Sequence, residues 1–296
     1  MWTRPWKFPE GFLIGGGLLV VGVLMQIVIG PVNWSLFAFP ANVIALVLFL
    51  LLIGIMYALR NKVYAFGWMM HYYAAVPALA YALGLTVLMG LTVQTDEGGL
   101  PWLSQMLTFW PFVLIYVWMV LIAGLATLNR ILHFKVKEIP FIINHLGVFL
   151  ALTCATLGSA DVQELQMTVY DDGQPEWRAV NENEEMVELD LAVELHKFTV
   201  EYYQDGTPRR FASDVSVYTK DGGNMSGTLE VNKPLKVNGW KIYQYGYDVA
   251  RGPHSRYSVL MLVRDPWLPF VYAGIFLMLL GALCLMLFMA PKPVKS

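Results

Sequence analysis

The chain has 296 residues, 57% of them hydrophobic and only 14% charged, with a mean hydropathy of +0.52. A soluble domain carries roughly 25% charged residues, so this surplus of apolar side chains needs lipid to face. The net charge of −2 gives no reason to expect nucleic acid, and Cys154 and Cys284, each set in an apolar run, suggest small core residues rather than a disulfide framework or a metal knuckle.

Six runs are long and apolar enough to span a bilayer: Phe12–Gly30, Ala41–Ala58, Tyr73–Val93, Leu107–Leu128, Pro140–Leu157 and Trp267–Met289. Backbone amides in lipid must be satisfied internally, so each is expected to be a helix. The first run lacks a small-x-small cleavage site and reads as a retained span. Arg4 and Lys7 precede it, Arg60 and Lys62 follow the second span, Arg130, Lys135 and Lys137 lie between the fourth and fifth, and Lys292 and Lys295 follow the sixth. The loops Pro31–Pro40 and Gln94–Met106 contain no Lys or Arg, and Asp96 and Glu97 in the second of them read as solvated charges. All the basic clusters therefore fall on one side, the cytoplasmic one by the positive-inside rule. Both termini are expected there, in a bacterial inner membrane, with Gly158 to Pro266 on the periplasmic side.

Within that outer segment the period changes. Leu189, Leu191, Val193 and Leu195 step by two, as do Val215 and Val217, then Leu229 and Val231, which is the pattern of strands. Lys220-Asp221-Gly222-Gly223 and Asn238-Gly239 are turn sequences. Gly239 to Tyr245 reads as an aromatic strand, and Tyr257 to Val263 as the strand feeding the last helix. The expected fold is an α+β membrane protein: six transmembrane helices with a β-rich, sandwich-like extracytoplasmic domain inserted before the last. It divides into a two-span hairpin (1–66), a three-span core (67–157), the β domain (158–266) and a last helix with a cytoplasmic tail (267–296).

Five histidines are the candidates for chemistry. His133, among Lys135 and Lys137, His196, which breaks a strand's alternation, and His254, in a Gly-Pro loop, have solvated or structural roles as their simplest readings. His145 differs, because no other ionisable residue shares its span. Five residues past Pro140, it sits ~7 Å into the helix, where polar groups are costly and usually face a partner or cofactor. Imidazole is a common haem-iron ligand, and the plainer alternative is a hydrogen bond to a neighbouring helix. His71, in Trp68-Met69-Met70-His71-Tyr72-Tyr73, fits an aromatic belt at the mouth of the third span, yet lies near the level of His145, so a bis-histidine site stays open. No nucleophile–base pair, P-loop or carboxylate dyad appears.

Three segments then resemble the ResB (CcsB-like) proteins of system II cytochrome c biogenesis. They are Lys137-Glu138-Ile139-Pro140 running into Phe141–Gly147, Val200-Glu201-Tyr202-Tyr203-Gln204-Asp205-Gly206-Thr207-Pro208 continuing to Val215, and the series Val231–Leu235, Gly239–Gln244 and Tyr257–Leu260 leading into Val263-Arg264-Asp265-Pro266. The resemblance implies a haem-handling subunit that exports haem b for attachment to apocytochrome c, as a non-catalytic or accessory part of a synthase complex. It makes His145 an axial ligand to haem iron, with the second ligand from a CcsA-type tryptophan-rich membrane subunit, and gives the β domain apocytochrome c or a thioredoxin-like reductant to dock. This chain has no Trp-Gly-x-x-Trp-x-Trp-Asp run of its own. It departs from the family's core in its first two spans. Two other classes fit the same residues: a b-type haem subunit passing electrons from quinol through His71 and His145, and a structural assembly subunit whose His145 only packs.

Overall fold

A computed structural model describes residues 2–95 and 101–288. Asp96, Glu97, Met289, Lys292 and Lys295 lie outside these residues. The chain forms two compact units, Met1–Ala160 with Trp267–Ser296, and Asp161–Pro266.

The first unit is helical: α1 (Phe8–Ile29), α2 (Ala41–Ala58), α3 (Tyr64–Met69), α4 (Tyr72–Leu91), α5 (Pro101–Ser104), α6 (Trp110–Leu132), α7 (Ile139–Gly158) and α8 (Leu268–Phe288). Among the described residues, six of these, all but α3 and α5, are long and apolar enough to cross a membrane, so this is a multi-pass membrane protein. α1 starts earlier than its apolar run because Glu10, although charged, accepts the Lys7 amide at 2.9 Å and so fits a helix first turn. α6 starts at Trp110, with Pro111 in its first turn and a 3₁₀ turn, Met106–Thr108, ahead of it.

α6 is the centre of the bundle, packed by α1, α2, α4 and α7. Ile115, Leu125 and Val120 are buried along it, Ile115 and Trp118 against α4 side and Leu125 and Val120 beside Ile53 and Phe149. At one end of the bundle Gln26 accepts from Trp110 N at 3.1 Å and Trp110 Nε1 donates to Gly30 O at 2.9 Å. At the other, Trp6 N donates to Tyr64 Oη at 2.9 Å and Tyr57 Oη lies 3.5 Å from His133 Nδ1. That second end gathers the start of α1 and the ends of α2 and α6, and it carries the basic residues.

α7 and α8 touch backbone to backbone. A Cβ on Gly147 would collide with the Met278 and Gly274 backbone, and one on Gly281 with the Asn144 backbone. Small residues at such spacings let helices approach closely in lipid, where packing rather than the hydrophobic effect holds them together.

The second unit is one continuous antiparallel sheet of eight strands: β1 (Gln163–Tyr170), β2 (Glu176–Val180), β3 (Met186–Tyr202), β4 (Pro208–Thr219), β5 (Asn224–Glu230), β6 (Leu235–Val237), β7 (Trp240–Tyr247) and β8 (Tyr257–Arg264). Their order is β5-β4-β3-β2-β1-β8-β7-β6. The expected sandwich is thus made by one sheet curling over rather than by two sheets. Ser213 Oγ on β4 donates to Ser258 Oγ on β8 at 2.8 Å, although β3, β2 and β1 separate those strands in the order. Between the two walls lie Met167, Val169, Val193, Leu195, Val215, Leu229, Ile242, Leu260 and Leu262. Asn238 and Gly239, with φ of 47° and 83°, make the tight turn between β6 and β7.

Candidate functional site

His145 is set on α7 by what its helix neighbours must do. Asn144, Gly147 and Ala151 face α8: Asn144 Nδ2 donates to Met278 O at 2.8 Å, and Ala151 lies against Gly274. At 100° per residue, the face carrying Phe141, His145 and Phe149 then looks elsewhere, toward α6 and α2. Phe149 stacks on Phe49 of α2 with centroids 6.2 Å apart and lies against Gly124 of α6. Farther along that face Tyr116 of α6 donates to Leu152 O at 3.0 Å and accepts from Thr156 Oγ1 at 3.1 Å.

The imidazole of His145 is half-buried. Its Nδ1 lies 3.1 Å from the Phe141 carbonyl oxygen, and the Phe141 ring stacks on it at 3.7 Å and 17°. A carbonyl can only accept, so Nδ1 carries the proton and donates, which leaves the lone pair on Nε2. No hydrogen bond to Nε2 occurs among the described residues. This is the arrangement in which a histidine is oriented and made more basic for a metal by a hydrogen bond at its other nitrogen. Phe141 is itself held: the Arg130 guanidinium lies 4.9 Å from its ring centroid and bonds Glu138 at 2.6 Å. These residues therefore fit an axial ligand to haem iron.

His71 stands elsewhere. It caps α4, is exposed, and stacks on Tyr73 at 5.8 Å and beside Tyr72 at 5.6 Å. α4 packs on α1 and α6, and α7 on α8, α6 and α2. No hydrogen bond or ring contact joins His71 to His145 among the described residues. The other histidines behave as their sequence suggests. His133 Nδ1 donates to Asn129 O, 3.0 Å away, on the basic end. His196 sits at a β-bulge between Leu195 and Lys197, its Nε2 2.7 Å from Ser216 Oγ. His254 is exposed in a short 3₁₀ turn. Cys154 and Cys284 are free thiols, and among the described residues no group of His, Cys, Asp and Glu could hold a metal ion by itself.

Sequence reasoning left out Phe141, Arg130 and Glu138 as the brace behind His145. The i−4 spacing of Phe141 was a signal for the first, since it is the residue whose carbonyl a helical side chain overlies.

An apolar cavity of about 310 Å³ opens along the same side of α7, lined by Phe49, Val113, Tyr116, Val120, Thr153 and Thr156 among others. Thr153 Oγ1 is buried without a hydrogen-bond partner.

In the sheet unit, Val200–Pro208 forms the end of β3, its turn and the start of β4. Arg210 bonds Glu201 at 3.2 Å and Glu230 at 2.7 Å, and the guanidinium, helped by Lys233, holds the Glu230 carboxyl below the usual carboxylate range. The Tyr218 hydroxyl donates to Glu194 at 2.6 Å, which pushes its own ionisation up. These are surface braces, and none converges on a pocket with a nucleophile.

Comparison with known proteins falls on the segment that contains both features. Residues 135–256 match the ResB-like family. The cytochrome c biogenesis protein CcsB of Prochlorococcus marinus (strain NATL2A) is 31% identical over 109 residues, 37% of this chain and 24% of that protein. The chloroplastic cytochrome c biogenesis protein CCS1 of Oryza sativa subsp. japonica is 35% identical over 100 residues, 33% of this chain and 17% of that protein. The matches thus span about a quarter or less of these relatives' length. A solved chain of the cytochrome c heme lyase CcmF aligns with 96% of this chain and 46% of its own at 15% identity, with a TM-score of 0.41, too slight a likeness to define a shared fold. Running from Lys135 through α7 and the sheet to Arg256, the match makes this segment similar to the ResB-like family.

Proposed function

We propose that the chain is the haem-handling subunit of a system II cytochrome c assembly complex, taking haem b at the basic, cytoplasmic end of its helices and passing it outward for attachment to apocytochrome c. The observation that carries this is the state of His145: a half-buried imidazole in an apolar span, its Nδ1–H committed to the Phe141 carbonyl and its Nε2 lone pair left for iron. Bound haem would supply the iron and the vinyl groups to which cytochrome cysteines add. This chain's residues hold and orient it. Phe141 fixes the ring plane of the ligand, and Arg130 with Glu138 fixes Phe141.

The apolar cavity beyond Phe149 on the same face of α7 gives the porphyrin a place to move toward on its way out. His145 would supply one ligand to the iron, and in this reading the other would come from a CcsA-type tryptophan-rich subunit. The sheet unit, extracytoplasmic in this reading, is the surface for that subunit, apocytochrome c or a thioredoxin-like reductant. In this reading thioether formation belongs to the complex.

The test is haem content and cytochrome c maturation with the chain co-expressed beside such a partner. His145→Ala is expected to lose both while His71→Ala keeps both. Loss in the two variants alike would instead favour a b-type electron-transfer subunit, and loss in neither a structural role.

A further inference from the structure

At the basic end of the helices a second cavity, of about 420 Å³, is walled by α1's entry, the α2–α3 turn and the start of α4. Arg4, Arg60 and Lys62 ring it, and no Asp or Glu is in its lining. Among the described residues none of these three cations is ion-paired with a carboxylate. Glu10, the carboxylate on the nearby turn of α1, is occupied with the Lys7 amide. Arg4 lies over the Tyr64 ring at 4.5 Å, and Arg60 over Tyr57 at 3.9 Å while donating to Tyr57 O at 2.8 Å. Aromatic faces thus hold both guanidiniums in place without neutralising them.

The cavity's floor is made by Trp6 and Trp68, packed edge to face at 5.6 Å. Trp68 is 5% exposed, and both indole N–H groups are buried with no hydrogen-bond partner. Buried indoles normally find an acceptor, because an unmet donor costs free energy. Three unneutralised cations around a cavity whose indole wall holds two unmet donors describe a receptor for an acceptor-rich anion. Phosphate oxygens suit it, accepting from N–H groups while guanidinium and ammonium balance their charge. An apolar indole and tyrosine wall at the ends of membrane spans favours a phosphate attached to acyl chains.

We propose that this cavity is a binding site for the phosphate group of an anionic amphiphile at the membrane surface. It is separate from His145 and stands whether or not that residue binds haem. Arg60 also caps the end of α2, so Arg4 and Lys62 are the residues to change.

The full chain, purified in detergent, is offered equal amounts of phosphatidylglycerol and phosphatidylcholine, and retained lipid is counted by native mass spectrometry. Phosphatidylglycerol is expected to be retained in preference. Retention should fall about fivefold for each of Arg4→Gln and Lys62→Gln, the factor equivalent to about 1 kcal/mol per basic residue at an anionic lipid surface. Trp68→Phe, which keeps an aromatic wall and removes one donor, should lower retention, with thermal unfolding measured beside it to separate lost binding from the void left in the core. Inorganic phosphate that displaces the lipid assigns the site to phosphate itself, and inorganic phosphate that does not assigns it to headgroup and chains together. Equal retention of the two lipids, or retention unmoved by all three substitutions, overturns the proposal.

Discussion

The side-chain amide of Asn144 on α7 donates to the backbone carbonyl of Met278 on α8 at 2.8 Å, and the next residue along α7 is His145. The bond and the glycine contacts around it set the rotation of α7 about its own axis. That rotation decides which helices the imidazole looks toward. The haem reading therefore depends on a contact that binds nothing.

Replacing Asn144 by Ala should cost about 0.6–1.7 kcal/mol, the range for hydrogen bonds between membrane helices. Thermal unfolding of the full chain in detergent measures it. If α7 turns as a result, a haem spectrum that depends on His145 should broaden in the same variant.

Gly147→Leu should be far more damaging, because its side chain would have to displace the α8 backbone at Met278. Overpacking costs about 1–3 kcal/mol where side chains can give way, and here the obstacle is backbone, so the upper end or more is expected. Leu146→Ala, at an exposed position one residue away, should change the unfolding temperature little.

Inside the curled sheet, Ser258 accepts from Ser213 at 2.8 Å and from the Gln244 amide at 2.7 Å. Ser258→Ala strands two buried donors and should cost about 1–3 kcal/mol. Loss of the sheet's circular dichroism on heating is the readout, with Met225→Ala on the exposed edge strand β5 as the control.

The β4–β5 edge should loosen in acid. Arg210 holds the Glu230 carboxyl below its ordinary value, so its contribution is complete above the unfolded carboxylate range, about pH 4, and is lost as pH falls through the lower folded value. Hydrogen exchange at β4 and β5 amides should quicken below that pH. Arg210→Gln should weaken the pH dependence, leaving the share that Lys233 supplies.

The helices were legible because lipid demands long apolar runs: Ala41–Ala58 has the same bounds in sequence and structure. Their ends were less so. α6 runs on through Asn129 and Arg130 to Leu132, since a cation in the last turn suits the helix dipole. α3 carries too few residues for a periodic signal. In the sheet, β3, β4, β7 and β8 followed their alternation, and the break at His196 marked a true bulge, whereas Val231, expected to pair its step with Leu229, lies past the end of β5 and is exposed. Of five residues in β2 only Ala179 is buried, and β6 has three residues, so neither announces itself. That one sheet would curl, bringing β4 to β8, is a long-range fact that no local pattern encodes. At the site, His145 stood out in the sequence from the cost of a histidine in lipid, whereas the orientation of its ring rests on Phe141, Arg130 and α8.

The central claim is that His145 Nε2 ligates haem iron. The most direct measurement is the optical and electron paramagnetic resonance spectrum of haem bound by the full chain with its partner, for the native protein, for His145→Gly, and for His145→Gly with added imidazole. Bound haem should fall at least tenfold in His145→Gly and return, with the native low-spin signature, when imidazole fills the space. Haem content and spectrum unchanged by the substitution would contradict the claim.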